Sequence, residues 1–313
     1  MFWTFIGLII GIILLIKGAD WLVEGAVSVA LNLGVSKMVV GLSVVAFGTS
    51  LPELVASLVA VFKGYSSVSI SNVVGSNIAN ISLALALSAL FVSIPIKKQT
   101  IRAEMPFMLI STLTFTVLFL KDYNLVWNYG IVFLLLMIIY IYYLITSAKE
   151  IVQEEFEEEV KEVKSTWFSI FLIVLGVVGV SVGGEMTIRN VVKIAELFNL
   201  SETFVGLTIV AVGTSLPEIV VSVISTVKGE NDILVGNIVG SNVFNILLIL
   251  GVSSLFGNLV VDVNNFTIDL IVMNLLAVLL FVFSIFRKRI FRLEAVVFLS
   301  MYFYYLYRII LRR

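Results

Sequence analysis

Two identical hexapeptides carry most of the chemistry available to this chain. Residues 48–53 and residues 213–218 both read Gly-Thr-Ser-Leu-Pro-Glu, and each lies inside a long apolar stretch. A charged side chain at the bilayer centre costs roughly 2.5–3.5 kcal/mol on insertion scales, so a repeated glutamate there needs a reason. Pro52 and Pro217 lack an N–H, and each ring presses on the carbonyl four residues earlier, at Gly48 and Gly213. A helix break is expected at both places, freeing carbonyl oxygens that hydrocarbon tolerates only inside protein or beside water. Thr49 and Ser50 precede Glu53 by four and three residues, which predicts two hydroxyls and a carboxylate on one face. Thr214, Ser215 and Glu218 repeat the set. Oxygens of these kinds suit hard cations such as sodium and calcium.

A second duplicated set follows each hexapeptide. Residues 72–80 read Asn-Val-Val-Gly-Ser-Asn-Ile-Ala-Asn, and residues 237–245 read Asn-Ile-Val-Gly-Ser-Asn-Val-Phe-Asn. Asn72, Ser76 and Asn80 step by four along one helix face, as do Asn237, Ser241 and Asn245. Their amide and hydroxyl oxygens can complete a shell around a cation without adding charge. Gly75 and Gly240 are expected to let this helix approach its partner closely. We read the doubled constellation as one ion site, with Glu53 and Glu218 facing each other across it. Other acids, among them Asp20, Glu24, Glu104, Glu185, Asp269 and Glu294, are expected near span ends or in loops. Two buried carboxylates balance one calcium, or two or more monovalent ions competing for the same oxygens. Such competition is the physical basis of antiport.

The elements that must position these residues are membrane helices. Of 313 residues, 60% are hydrophobic and 13% charged, against about 25% charged in soluble domains. Apolar stretches repeatedly exceed the roughly 18 residues that mark a spanning helix. The fold class expected is an all-α membrane protein with ten transmembrane helices. The spans are read at about 2–32, 37–62, 68–92, 104–120, 126–147, 166–199, 202–227, 233–256, 266–286 and 292–311. Cys and His are both absent, which excludes disulfides, thiol catalysis and the commonest transition-metal ligands. No enzymatic role, no cofactor and no nucleic-acid partner is expected. The Met-Phe-Trp-Thr start lacks a basic segment, so no cleaved signal is expected.

The chain is a duplication. Glu218 minus Glu53 gives an offset of 165, which also relates Gly11 to Gly176, Gly18 to Gly183, Lys63 to Lys228 and Asn80 to Asn245. From Ser36 to Phe91 about half of the aligned positions are identical. The organisation expected is a first five-helix repeat over 1–147, an acidic linker over 148–165 and a second repeat over 166–313. An odd number of spans per repeat predicts inverted topology about an axis in the membrane plane. Loop Lys and Arg gather on one side, at Lys37, Lys97, Lys98, Arg102, Lys149, Lys161, Lys164, Lys228 and Arg287–Arg292. The positive-inside rule then puts the linker in the cytoplasm and both termini outside the cell membrane, although Arg308, Arg312 and Arg313 run against it. The linker glutamates, from Glu150 to Glu162, are read as a solvated helical segment because the pattern lacks the alternating ligands and Gly of a calcium loop.

The doubled Gly-Thr-Ser-Leu-Pro-Glu and Gly-Ser-Asn-x-x-Asn motifs resemble the alpha-repeats of sodium/calcium exchangers, in the calcium/cation antiporter superfamily, and the likeness covers essentially the whole chain. It implies exchange of several sodium ions for one calcium by alternating access. The ligands implied are Thr49, Ser50, Glu53, Ser76 and Asn80, with Thr214, Ser215, Glu218 and Ser241, and the backbone carbonyls of Ala46 and Ala211 for sodium. Some branches carry Asp where this chain has Asn245. The change is similar to the potassium-independent pattern and leaves two titratable groups at the site. The glycines of the first span in each half, Gly7 and Gly11, and Gly176, Gly179 and Gly183, make a smooth small-residue face. The resemblance implies that these two helices slide together. The partners expected are calcium, sodium and the bilayer, with the chain working as a monomer. A proton/calcium exchanger is the alternative, and a cation channel a further one, less suited to two inverted halves.

Overall fold

The computed structural model describes residues 2–147, 164–198, 213–261 and 263–311. Ala211, nearly all of the acidic linker and the start of the seventh expected span lie outside the described residues. Eight described helices are long and apolar enough to cross a membrane, and the pair Lys37–Thr49 and Leu51–Phe62, bent by 41°, could form a ninth span. The helix Leu216–Val227 is shorter, at 12 residues. Two compact units draw on both halves of the sequence: Met1–Thr49 with Tyr140–Ile238, and Ser50–Ile139 with Val239–Arg313.

The first unit is organised by two helices of 32 residues, Phe2–Leu33 and Thr166–Leu197. At 1.5 Å per residue each is about 48 Å long, well beyond the roughly 30 Å of a hydrocarbon core. They run antiparallel, with Gly18 against Val180, Gly11 against Thr187 and Leu22 against Gly176. A Cβ at Gly18 would sit 2.5 Å from the Val180 nitrogen, one at Gly176 2.6 Å from that of Leu22 and one at Gly11 2.8 Å from that of Thr187. Glycine is therefore required by backbone-on-backbone approach, and the small-residue face read from the sequence is a packed seam. Leu15, Leu22, Val23, Ile173, Val180, Val221 and Ile233 form the core beside it. Asp20 pairs with Lys228 at 2.6 Å, Glu230 with Lys37 at 3.0 Å, and Glu24 with Lys164. Asp20 and Glu24 thus lie inside a long helix, and not near its end as expected.

The second unit surrounds two polar helices. One runs Ser66–Ala79, widens into a π-helical turn over Asn80–Leu85 and continues as Ala86–Phe91. The other, Asn231–Phe244, enters this unit at Val239, widens at Asn245–Leu250 and continues as Gly251–Phe256. Such wide turns cluster at functional sites, and these two are related by the 165-residue offset. In an apolar 18-residue stretch of each span, 83% of Ser66–Phe91 and 94% of Asn231–Phe256 is buried, against 28% of Trp127–Ser147. Their Asn and Ser side chains can therefore reside in the membrane because protein, and not lipid, surrounds them. Glu104, Asp269 and Glu294 lie near the starts of their helices, as expected, and are buried, at 1%, 7% and 3% exposure.

Two short antiparallel ladders tie the loops of this unit. Ile94–Pro95 pairs with Arg289–Ile290, and Asn124–Leu125 pairs with Leu259–Val260. The partners are crossed: the 165-residue counterpart of Ile94 is Leu259, yet Ile94 lies opposite Ile290. Gly75 departs from expectation, because a Cβ there would meet nothing within 4 Å.

Candidate functional site

In each hexapeptide a new helix begins with proline in its first turn. The helix Ala46–Thr49 stops, Ser50 adopts φ −84° and ψ 0°, and Leu51–Phe62 begins with Pro52 in its first turn. The second copy matches: Ser215 has φ −88° and ψ 6°, and Leu216–Val227 begins with Pro217. Proline costs nothing at this position because the first N–H groups of a helix have no intrahelical acceptor. Thr49 closes one helix and Glu53 lies in the first turn of the next. Glu53 and Glu218 each sit in the first turn of the new helix, and both are fully buried. The positive end of the helix dipole offsets part of the cost of a buried anion there.

In the first unit the Thr49 hydroxyl contacts the Ala46 carbonyl at 3.3 Å and the Asn237 Oδ1 at 3.0 Å, an oxygen that accepts from it. Asn237 Nδ2 in turn reaches Ser222 Oγ at 3.3 Å. Ser215 is buried, and its hydroxyl has no partner among the described residues. Thr214 is half-buried.

In the second unit Asn72 Nδ2 bonds Ser57 Oγ at 3.1 Å and the Glu53 backbone carbonyl at 3.4 Å. Asn72 and Asn237 therefore brace the helix after the break, a role not read from their place beside Ser76 and Ser241. Ser50 and Ser76 are buried with hydroxyls lacking a partner among the described residues, and so are both amide atoms of Asn80. Ser241 is fully buried. Asn245 donates to Asn77 Oδ1 at 3.0 Å, Asn77 donates to the Asn242 carbonyl at 3.2 Å, and Asn245 Oδ1 has no partner among the described residues. Asn77 and Asn242 were passed over in the sequence, although both lie in the duplicated Gly-Ser-Asn and are offset by 165.

A buried polar atom without a partner costs about 1–3 kcal/mol. Incurring that cost at Ser50, Ser76, Ser215 and Asn245, all expected ligands, fits oxygens kept available for an ion. Among the described residues no three His, Cys, Asp or Glu side chains cluster as a metal site. The oxygens in each unit are those of hydroxyls, amides and a buried carboxylate, kinds that suit a hard cation.

The comparisons with known proteins agree with this chemistry. The family model described as sodium/calcium exchanger protein matches twice, over residues 3–146 and 168–311, ranges themselves offset by 165. The sodium/calcium exchanger MaX1 of Methanosarcina acetivorans is 32% identical over 336 aligned residues, covering 96% of both chains. The putative antiporter CaxA of Alkalimonas amylolytica is 37% identical over 259 residues, covering 81% of each. The solved structure of the sodium/calcium exchanger from Methanococcus jannaschii superposes with a TM-score of 0.83 at 31% identity, covering 97% of both chains. This chain is a multi-pass membrane protein that belongs to the sodium/calcium exchanger family.

Proposed function

We propose that the protein is a secondary antiporter exchanging sodium for calcium across the cell membrane by alternating access, with the ions held between Glu53 and Glu218. The observation that carries this reading is a buried serine hydroxyl without a partner among the described residues at the same place in both hexapeptides, Ser50 and Ser215, each three residues before a fully buried glutamate. The ligands proposed are the carboxylates of Glu53 and Glu218, the hydroxyls of Thr49, Ser50, Ser76, Thr214, Ser215 and Ser241, the amide oxygens of Asn80 and Asn245, and the carbonyls of Ala46 and Ala211. A related exchanger has been solved after soaking with sodium and calcium, and its chain is 32% identical to this one.

The architecture proposed is ten spans in two inverted repeats, 1–147 and 166–313, joined by a cytoplasmic linker, with both termini outside. Two observations support inversion. The two long helices are repeat counterparts, yet they run antiparallel. The ladders pair Ile94 with Ile290 and Leu125 with Leu259. In a parallel duplication Ile94 and its counterpart Leu259 would emerge on the same side, whereas here each pairs with the counterpart of the following loop. Inverted repeats suit alternating access, because exchanging the two conformations of the halves exchanges the open side.

Calcium uptake into proteoliposomes separates the coupling ions. Uptake driven by an outward sodium gradient and not by a pH gradient is expected. Uptake driven by pH alone would make the protein a proton/calcium exchanger, and discrete single-channel currents would replace both readings with a channel.

A further inference from the structure

Three hydrogen-bonding groups of the second unit form a chain whose direction is set at one end. The Asn242 backbone carbonyl can only accept, so the side chain of Asn77, 3.2 Å away, must present its Nδ2 to it. The Oδ1 of Asn77 is thereby the end that meets Asn245, at 3.0 Å, and Asn245 must answer with its own Nδ2. The amide of Asn245 is fully buried, and the end left over is its oxygen, which has no partner among the described residues. An unconstrained asparagine can offer either end, and an NH2 turned toward a cation repels it. Asn80, the repeat counterpart of Asn245, shows the contrast: neither of its amide atoms has a partner among the described residues.

We infer that Asn77 is a positioning residue, which fixes the rotamer and amide orientation of Asn245 so that a neutral oxygen, and not an amide hydrogen, is offered to calcium. The inference rests on the cation site proposed above and adds a residue with no place among its ligands. Asn77 is 1% exposed and is held from the other side by a backbone atom, so the orientation is set before any ion arrives. Residues that orient a ligand without touching the ion typically change metal affinity by about 10–100-fold when removed.

Calorimetric titration of the purified full chain with calcium tests this, alongside sodium-driven uptake in proteoliposomes. Asn77→Ala is expected to weaken calcium binding about tenfold while the unfolding temperature stays near that of the parent. In an Asn245→Asp background both ends of residue 245 are oxygens, so orientation no longer matters. Adding Asn77→Ala there is expected to change the calcium Kd by less than about twofold, a non-additivity that a merely structural role would not produce. Asn77→Leu, which fills nearly the same space with neither donor nor acceptor, replaces Asn77→Ala in the same cycle if the alanine variant does not fold. Unchanged calcium affinity in the single variant, or the same loss in both backgrounds, overturns the inference while leaving the site intact. A parent protein that binds no calcium overturns both.

Discussion

In the first repeat Asp122 accepts a hydrogen bond from the Tyr129 hydroxyl, while at the same two positions of the second repeat Arg287 pairs with Glu294 at 3.3 Å. Both links fasten a turn whose following residue is left-handed, Tyr123 at φ 52° and Lys288 at φ 53°. One backbone shape is thus held by a hydroxyl and an acid in one place and by an ion pair in the other. Around the hexapeptides no such freedom appears. Asn72 reaches Ser57 at 3.1 Å and Asn237 reaches Ser222 at 3.3 Å, using the same atoms in both repeats. A hairpin needs only a polar tie of the right length. That constancy of polar atoms near Glu53 and Glu218 is what the ion chemistry proposed for them would require.

Variants can break that contrast, beginning with the largest effect. Glu53→Gln and Glu218→Gln are each expected to abolish sodium-driven calcium uptake in proteoliposomes with little change in unfolding temperature. A wild-type rate in either would remove that carboxylate from the site. Next in size, Gly176→Leu is expected to cost about 3 kcal/mol in chemical denaturation, since its Cβ would lie 2.6 Å from the Leu22 nitrogen. Gly75→Ala, which meets open space, should be tolerated, and equal destabilisation of the two would show that the seam is not specifically packed. The smallest effects belong to the hairpins. Arg287→Gln should cost about 0.5–1 kcal/mol, because its half-exposed guanidinium faces a Glu294 carboxyl 4% exposed. Tyr129→Phe, at an exposed site, should leave the unfolding temperature unchanged. A large transport defect in either would make the hairpins part of the mechanism.

Much of this was legible in the chain itself. The new helices begin after Ser50 and Ser215 because proline's missing N–H is a local property that survives any packing. The long-helix seam was readable from glycine spacing. The burial of Glu104 and Asp269 was not, because a carboxylate near an expected span boundary looks solvated until neighbouring helices close over it. The wide turns at Asn80 and Asn245 were equally hidden, since the four-residue spacing of Asn72, Ser76 and Asn80 assumes a regular helix up to its last member.

Periodicity, duplication and composition by themselves determined that this chain is a doubled helical membrane protein with two acids and a repeated set of oxygens in its apolar interior. Those properties are local or additive along the chain. Only the tertiary structure decided how the oxygens are allotted: Asn72 and Asn237 to bracing, Asn77 to its neighbours, Ser50, Ser76 and Ser215 to no protein partner among the described residues. Hydrogen bonds are directional and short, so a bond such as that between Asn77 and Asn245, 168 residues apart in the chain, follows from packing that no local pattern encodes.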